Sequence, residues 1–409
     1  MASSTAHRRR RFTGRDPDEE HRSATPLELL FDLTIVVAFS TAADELAHLI
    51  ADGHTWAGIA GFAFASFAVI WAWVNYSWFA SAYDTDDWLF RVATMVQMVG
   101  VIVLSLGLPQ MFESIDHGDT LDNGVMVSGY VIMRVSALFL WSQVYRHDLA
   151  HRVAARTYMI TIGVAQLGWI VLVFVDLPVA TTFALMVPLF VLEFAGPYIA
   201  ERKAQTPWNV GHIVERYGLL VIITLGEVII GTVAALNALV QGEAGWTVDA
   251  ALLAVAGVGL AFGCWWVYFS LPGERTVNRR QRIFLFAHGH FLIFAPLAAL
   301  GAGLHVAAYA LEGEAEVSDT GVVLSVAIPV ALFILAIFVL YALLTRTYDP
   351  FHLLLLALTA AVIAVSVLLA VAGASVALCL LVLTLAPVVT IVGYETIGHR
   401  HMAEALDRL

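Results

Sequence analysis

Charge is scarce in this 409-residue chain: 13% of its residues are Asp, Glu, Lys or Arg, against about 25% in ordinary soluble domains. Lysine is almost missing, with Lys203 the only one, so positive charge is carried by arginine. Cysteine occurs twice, at Cys264 and Cys379, inside apolar runs and without CxxC spacing, which excludes a disulfide framework and a cysteine zinc site. There is no Gly-rich phosphate loop, no HExxH and no GxSxG, and so no motif for nucleotide, zinc-peptidase or serine-hydrolase chemistry. Basic residues are few and dispersed among connectors, which argues against a nucleic-acid partner.

What is abundant is apolar: 60% of residues are hydrophobic and the mean hydropathy is +0.81. This describes an all-α polytopic membrane protein whose first partner is the lipid bilayer. Runs of about 20 apolar residues span the roughly 30 Å hydrocarbon layer as helices. About twelve such runs occur. The first six lie near 27–50, 56–80, 88–110, 122–146, 154–175 and 178–200. The second six lie near 211–239, 248–271, 282–310, 319–344, 350–371 and 374–397.

Connector charge alternates. The tail holds Arg8 to Arg11, and the even connections hold Arg146, Arg152 and Arg156, then Arg202 and Lys203, then Arg275 to Arg282, then Arg346. The odd connections are acidic, with Glu113 to Asp122, Asp176, Glu243, Asp249 and Glu312 to Glu316; one even connection, Tyr83-Asp84-Thr85-Asp86-Asp87, is acidic too, with only Arg91 following. Positive charge stays inside, which places both termini in the cytoplasm. Residues 1–22 have charges but no apolar stretch, and read as a disordered cytosolic tail rather than a cleavable signal.

The spans repeat. Glu28 opens the first and Glu215 the seventh; Trp73-Val74-Asn75-Tyr76-Ser77 closes the second and Trp266-Val267-Tyr268-Phe269-Ser270 the eighth. Arg91 and Gln97 match Arg282 and His288 at equal separation. The expected organisation is two parallel six-helix repeats, 23–206 and 207–400, with a cytosolic tail at 401–409. Two segments carry a family resemblance: Pro26-Leu27-Glu28-Leu29-Leu30-Phe31-Asp32-Leu33, and Val214 to Glu227 with its Glu-Arg-Tyr-Gly opening. They resemble the signature segments of the bacterial low temperature requirement protein A (LtrA) family, over about residues 22 to 400. That resemblance implies a polytopic inner-membrane protein, associated by name with growth in the cold.

Ionisable residues at membrane depth are the candidates for function. Glu28 and Asp32 are four residues apart and so share a helix face. Glu28 reads equally as a helix-start cap or a functional acid, and Asp32, deeper, as a cavity or ion-pair group. Glu227 is the deepest acid, near mid-span, and is the candidate for proton coupling. Arg134, mid-span in the fourth run, requires a carboxylate from Asp32, Glu193 or Glu227. His212, Glu215 and Arg216 are expected on one face at the cytoplasmic entrance, as a salt-bridged helix start or a gate. His288 reads as a core hydrogen-bonding group or proton relay, since its spacing from His290 suits no metal and no cofactor is signalled. Trp71, Trp73, Trp78, Trp88, Trp265 and Trp266 sit near span ends and read as interfacial belts. The favoured reading is a transporter or channel for a small solute or ion. The alternatives are an intramembrane enzyme acting on a lipid or lipid-linked substrate, and a structural or sensory protein for cold adaptation.

Overall fold

A computed structural model describes residues 10–20, 22–118, 120–241, 245–271, 273–277 and 282–407. Twelve helices in it are long and apolar enough to cross a membrane. The first six are α1 (Pro26–Ala51), α2 (Thr55–Tyr83), α3 (Trp88–His117), α4 (Gly124–His147), α5 (Arg152–Val173) and α6 (Val179–Lys203). The second six are α7 (Val210–Gln241), α8 (Val248–Phe269), α9 (Ile283–Glu312), α10 (Asp319–Thr345), α11 (Pro350–Val371) and α12 (Val376–Asp407). No strand is present among the described residues. Helices are what lipid permits, because each must satisfy its own backbone hydrogen bonds where no water is at hand.

The chain forms two compact units. One comprises Met1–Ala42 and Phe64–Arg216, the other Ala43–Ala63 and Tyr217–Leu409, so α1, α2 and α7 each contribute to both. This boundary runs inside helices and is distinct from the repeat boundary at 206/207 expected from sequence.

In the first unit, α1 turns its polar side inward. Glu28, Phe31, Asp32 and Ile35 are fully buried, whereas Leu30, Leu33 and Val37 are about half exposed. This inversion suits lipid, where leucine is as content outside as inside and charge is not. Helices α3 and α4 approach backbone to backbone, a Cβ on Gly100 lying 2.7 Å from the Gly129 carbonyl oxygen. In the second unit α7 and α9 do the same, a Cβ on Gly231 falling 2.6 Å from the Gly301 oxygen. Small residues at such crossings let van der Waals packing hold helices that the hydrophobic effect does not drive together.

The described part of the 1–22 segment departs from the expected disordered tail. Phe12 is fully buried and Arg22 is 6% exposed. Its main-chain groups find partners on three interhelix connections, which is why a charged stretch with little apolar content still packs. Arg8 and Arg9 of the arginine run lie outside the described residues, as do Arg279, Arg280, Asp119, Glu243 and the last two residues of the 401–409 tail.

Candidate functional site

The first unit assembles its charges around α2, which uses opposite faces for two neighbours. Trp73 meets Asp32 of α1, its Nε1–H donating to Oδ1 at 2.6 Å. Trp71, on the other side, donates to Glu193 Oε2 of α6 at 2.7 Å.

Around Asp32 the central cation is Arg216 of α7. Its Nη2 lies 2.5 Å from Asp32 Oδ1 and its Nη1 3.0 Å from Glu28 Oε1, all three side chains fully buried. His212, one turn earlier on the same face, donates from Nε2 to Glu28 at 3.2 Å. Arg22 approaches Glu28 at 3.8 Å. Glu28 also closes a reciprocal cap: its Oε2 accepts from Thr25 N–H at 2.7 Å while Thr25 Oγ1 accepts from Glu28 N–H at 3.3 Å. The cap and ion-pair readings of Glu28 therefore hold together. Glu215, by contrast, is exposed. One residue is about 100° of helix rotation, so the step from Glu215 to Arg216 takes the side chain off the buried face.

Asp84, in the connection after α2, borders this cluster. It is 4% exposed. Burial, and then the nearby Glu28 charge, push its carboxyl up to about 6, against the opposing hydrogen bond from Asp86 N–H and the Arg22 charge.

Nearer mid-span, Arg134 takes Glu193 as its partner at 2.8 Å, both side chains 3% exposed. Asp32 belongs to Arg216, and Glu227 lies in the second unit. Tyr130 accepts from Arg134 Nη2 and donates to Glu193 Oε1 at 3.1 Å. Glu193 thus receives three donors, from Trp71, Tyr130 and Arg134. A cavity of about 20 Å³ adjoins this group, lined by Asn75, Tyr76, Gln97, Arg134 and apolar neighbours of α2 to α5. That is room for about one water. The Tyr76 hydroxyl and Arg134 Nε, both buried, have no hydrogen-bond partner. Tyr76 also touches the other cluster, the Arg216 guanidinium lying 5.7 Å from its ring.

Sequence reasoning passed over Glu201. This residue of α6 is 8% exposed and accepts from Tyr158 Oη at 2.9 Å, Thr206 N–H at 2.9 Å, Trp208 at 3.2 Å and Trp78 at 3.4 Å. A usable signal was present: Trp71 and Trp78 are seven apart on α2, Glu193 and Glu201 eight apart on α6, and both pairs repeat about every two turns. The belt reading of these tryptophans is corrected here. Trp71, Trp73 and Trp78 are 1%, 0% and 6% exposed, whereas Trp88 and Trp265 are 52% and 39% exposed. An indole whose N–H meets a carboxylate can be buried without an unmet donor.

In the second unit Glu227 is 2% exposed, and α9 passes so close that a Cβ on Gly301 would lie 2.9 Å from Glu227 Cβ. His288 is half-buried and its Nδ1–H donates to the Phe284 carbonyl at 2.6 Å. His290 is the more buried histidine. Its Nδ1–H donates to the Phe286 carbonyl at 2.7 Å, leaving Nε2 to accept from Tyr268 Oη at 2.9 Å. Among the described residues no group of three His, Cys, Asp or Glu side chains is placed to hold a metal.

No solved structure matches the chain. It is 24% identical over 299 residues to an uncharacterized protein of Rhizobium meliloti (strain 1021), covering 68% of each chain. A family model described as bacterial low temperature requirement A protein matches residues 23–387. That match covers most of the sequence, and the chain belongs to the LtrA family of bacterial membrane proteins.

Proposed function

We propose that this protein moves a small solute or ion across the bacterial inner membrane, with both termini in the cytoplasm. The observation that carries the reading is the pair of arginine–carboxylate groups at successive depths in one unit, Arg216 with Asp32 and Glu28, then Arg134 with Glu193, with a cavity for about one water beside the deeper group that Asn75, Tyr76, Gln97 and Arg134 help to line. Such pairs add little stability over apolar residues of the same volume, because desolvation offsets their attraction. Ionisable groups inside a membrane protein are mostly kept for pathways and relays. The enzyme alternative, expected around Glu28, His212, Glu215 and Arg216, draws less support, because Glu28, His212 and Arg216 are fully buried rather than open to a lipid headgroup and only Glu215 is exposed. Glu227 is the proposed coupling acid, as the deepest carboxylate of α7.

The test is flux into proteoliposomes, using dyes for H⁺, K⁺, Na⁺ and Cl⁻ and a labelled-solute panel. Transport should fall sharply in Glu193→Gln and lose its pH dependence in Glu227→Gln. Flux that equals empty liposomes for every probe, or is untouched by both substitutions, refutes the reading.

A further inference from the structure

Residues 10–20 and 22 lie across the end of the first unit where α1 begins, as a strap. The strap is held at each interhelix connection on that side. Arg10 N–H donates to Asp87 Oδ2 at 2.8 Å, between α2 and α3. Gly14 N–H donates to Asp148 Oδ2 at 3.0 Å, between α4 and α5. Asn209, between α6 and α7, donates from Nδ2 to the Pro17 and Glu19 carbonyls, each at 3.0 Å. Phe12 is the apolar anchor, with ring centroids of Phe79 and His147 each 6.5 Å away. Beyond these points the strap reaches inward: Arg22 donates from Nη2 to the Ala80 carbonyl at 2.7 Å and lies 3.8 Å from Glu28.

Among its described residues the strap has no helix and a single large apolar anchor, so seating it depends on a handful of hydrogen bonds and one aromatic ring. Its tip changes the charge balance of the cluster. With Arg22 in place, Glu28 faces two guanidiniums, that of Arg22 and that of Arg216, which it shares with Asp32. Without it both acids face Arg216 alone, beside the hydrogen-bonding ring of His212 and the bordering carboxyl of Asp84. Arg22 is the more distant cation, 3.8 Å from Glu28 against 3.0 Å for Arg216, and its Nε is buried without a partner. Asp32 Oδ2 is likewise buried and unpartnered. These are marks of a cation that fits the site incompletely.

We infer that Glu28 and Asp32 form a binding site for a small monovalent cation, and that the N-terminal strap is an autoinhibitory plug whose Arg22 guanidinium occupies that site. When the strap lifts, the carboxylates regain an unbalanced negative charge and become open to the aqueous side at the start of α1. The inference rests on the transport reading and adds its substrate class and its regulation.

The experiment is rubidium uptake into proteoliposomes by the full chain and three variants, with melting midpoints measured alongside. A strap seated about 90% of the time hides the site about tenfold. Arg22→Gln should therefore raise uptake by up to about tenfold, while Arg22→Lys, which keeps a tethered cation, stays near the parent. Phe12→Ala loosens the strap without touching the carboxylates and should give the same increase, which decides the matter if Arg22→Gln does not fold. Uptake equal to the parent in folded Arg22→Gln and Phe12→Ala overturns the plug. If the parent moves another solute but no variant takes up rubidium, the cation site fails and the transport reading stands. If no probe moves at all, both fail.

Discussion

Arg216→Met removes the one cation that serves two fully buried carboxylates. Its guanidinium lies 2.5 Å from Asp32 and 3.0 Å from Glu28, and 5.7 Å from the Trp73 ring. Deleting one partner of a buried pair costs about 3–5 kcal/mol, because the other charge is left uncompensated. Two carboxylates depend on this arginine, so the upper part of that range applies. For a domain of 150–250 residues each kcal/mol shifts the melting midpoint by about 2–4 °C, which makes the expected fall on the order of 10 °C or more. Arg216→Lys keeps the charge but loses the fork that reaches both acids, and should fall between parent and Met. The triple variant Glu28→Gln, Asp32→Asn, Arg216→Met removes both acids with the cation they share, leaves only Arg22 charged, and should recover part of the loss. Melting in detergent, followed by tryptophan fluorescence and by size exclusion, reads all three. A midpoint for Arg216→Met within about 2 °C of the parent, or a triple variant no better than the single, refutes the reasoning.

Asp84 offers a test with the opposite sign. Its carboxyl is raised from 3.8 to about 6, so the folded state holds a proton where the unfolded chain has lost it. The parent's stability should therefore fall as pH rises from about 4 through 6. Asp84→Asn removes that penalty, should be more stable than the parent by up to about 3 kcal/mol above pH 7, and should match it near pH 4; paired melts at the two pH values read the difference. Trp71→Phe deletes one of three donors to Glu193, at a cost of about 1.5–3 kcal/mol, whereas the exposed Trp265→Phe should leave the midpoint nearly unchanged. Equal effects would return Trp71 to the membrane belt. Gly231→Val puts a side chain against the Gly301 oxygen and Leu304 and should lower the midpoint by the equivalent of about 1–3 kcal/mol, with Gly231→Ala costing less.

The spans were legible because a bilayer judges each helix by itself. The run at 350–371 coincides with α11, and 319–344 stops one residue short of α10. Errors arose where polar sequence continues a helix beyond the apolar layer. The run ending at 397 stops one residue before the end of the π-helical turn at Tyr394–Gly398 and misses the amphipathic continuation through Asp407. The candidate residues were legible as types rather than as partners: Arg134 had three acids open to it, and Arg216 had been joined to Glu215, which is exposed.

Length, hydropathy and charge periodicity determined by themselves that this is a twelve-span helical membrane protein, and two short segments determined its family. Both are local properties, read within one helix at a time. Only the tertiary structure decided that Arg216 takes Asp32 across 184 residues of sequence, Arg134 takes Glu193 across 59, and Trp71 reaches Glu193 across 122. Those choices depend on how far each helix is turned about its axis and slid along its neighbour. A shift of one residue, about 1.5 Å and 100°, is enough to replace Arg216 with Glu215.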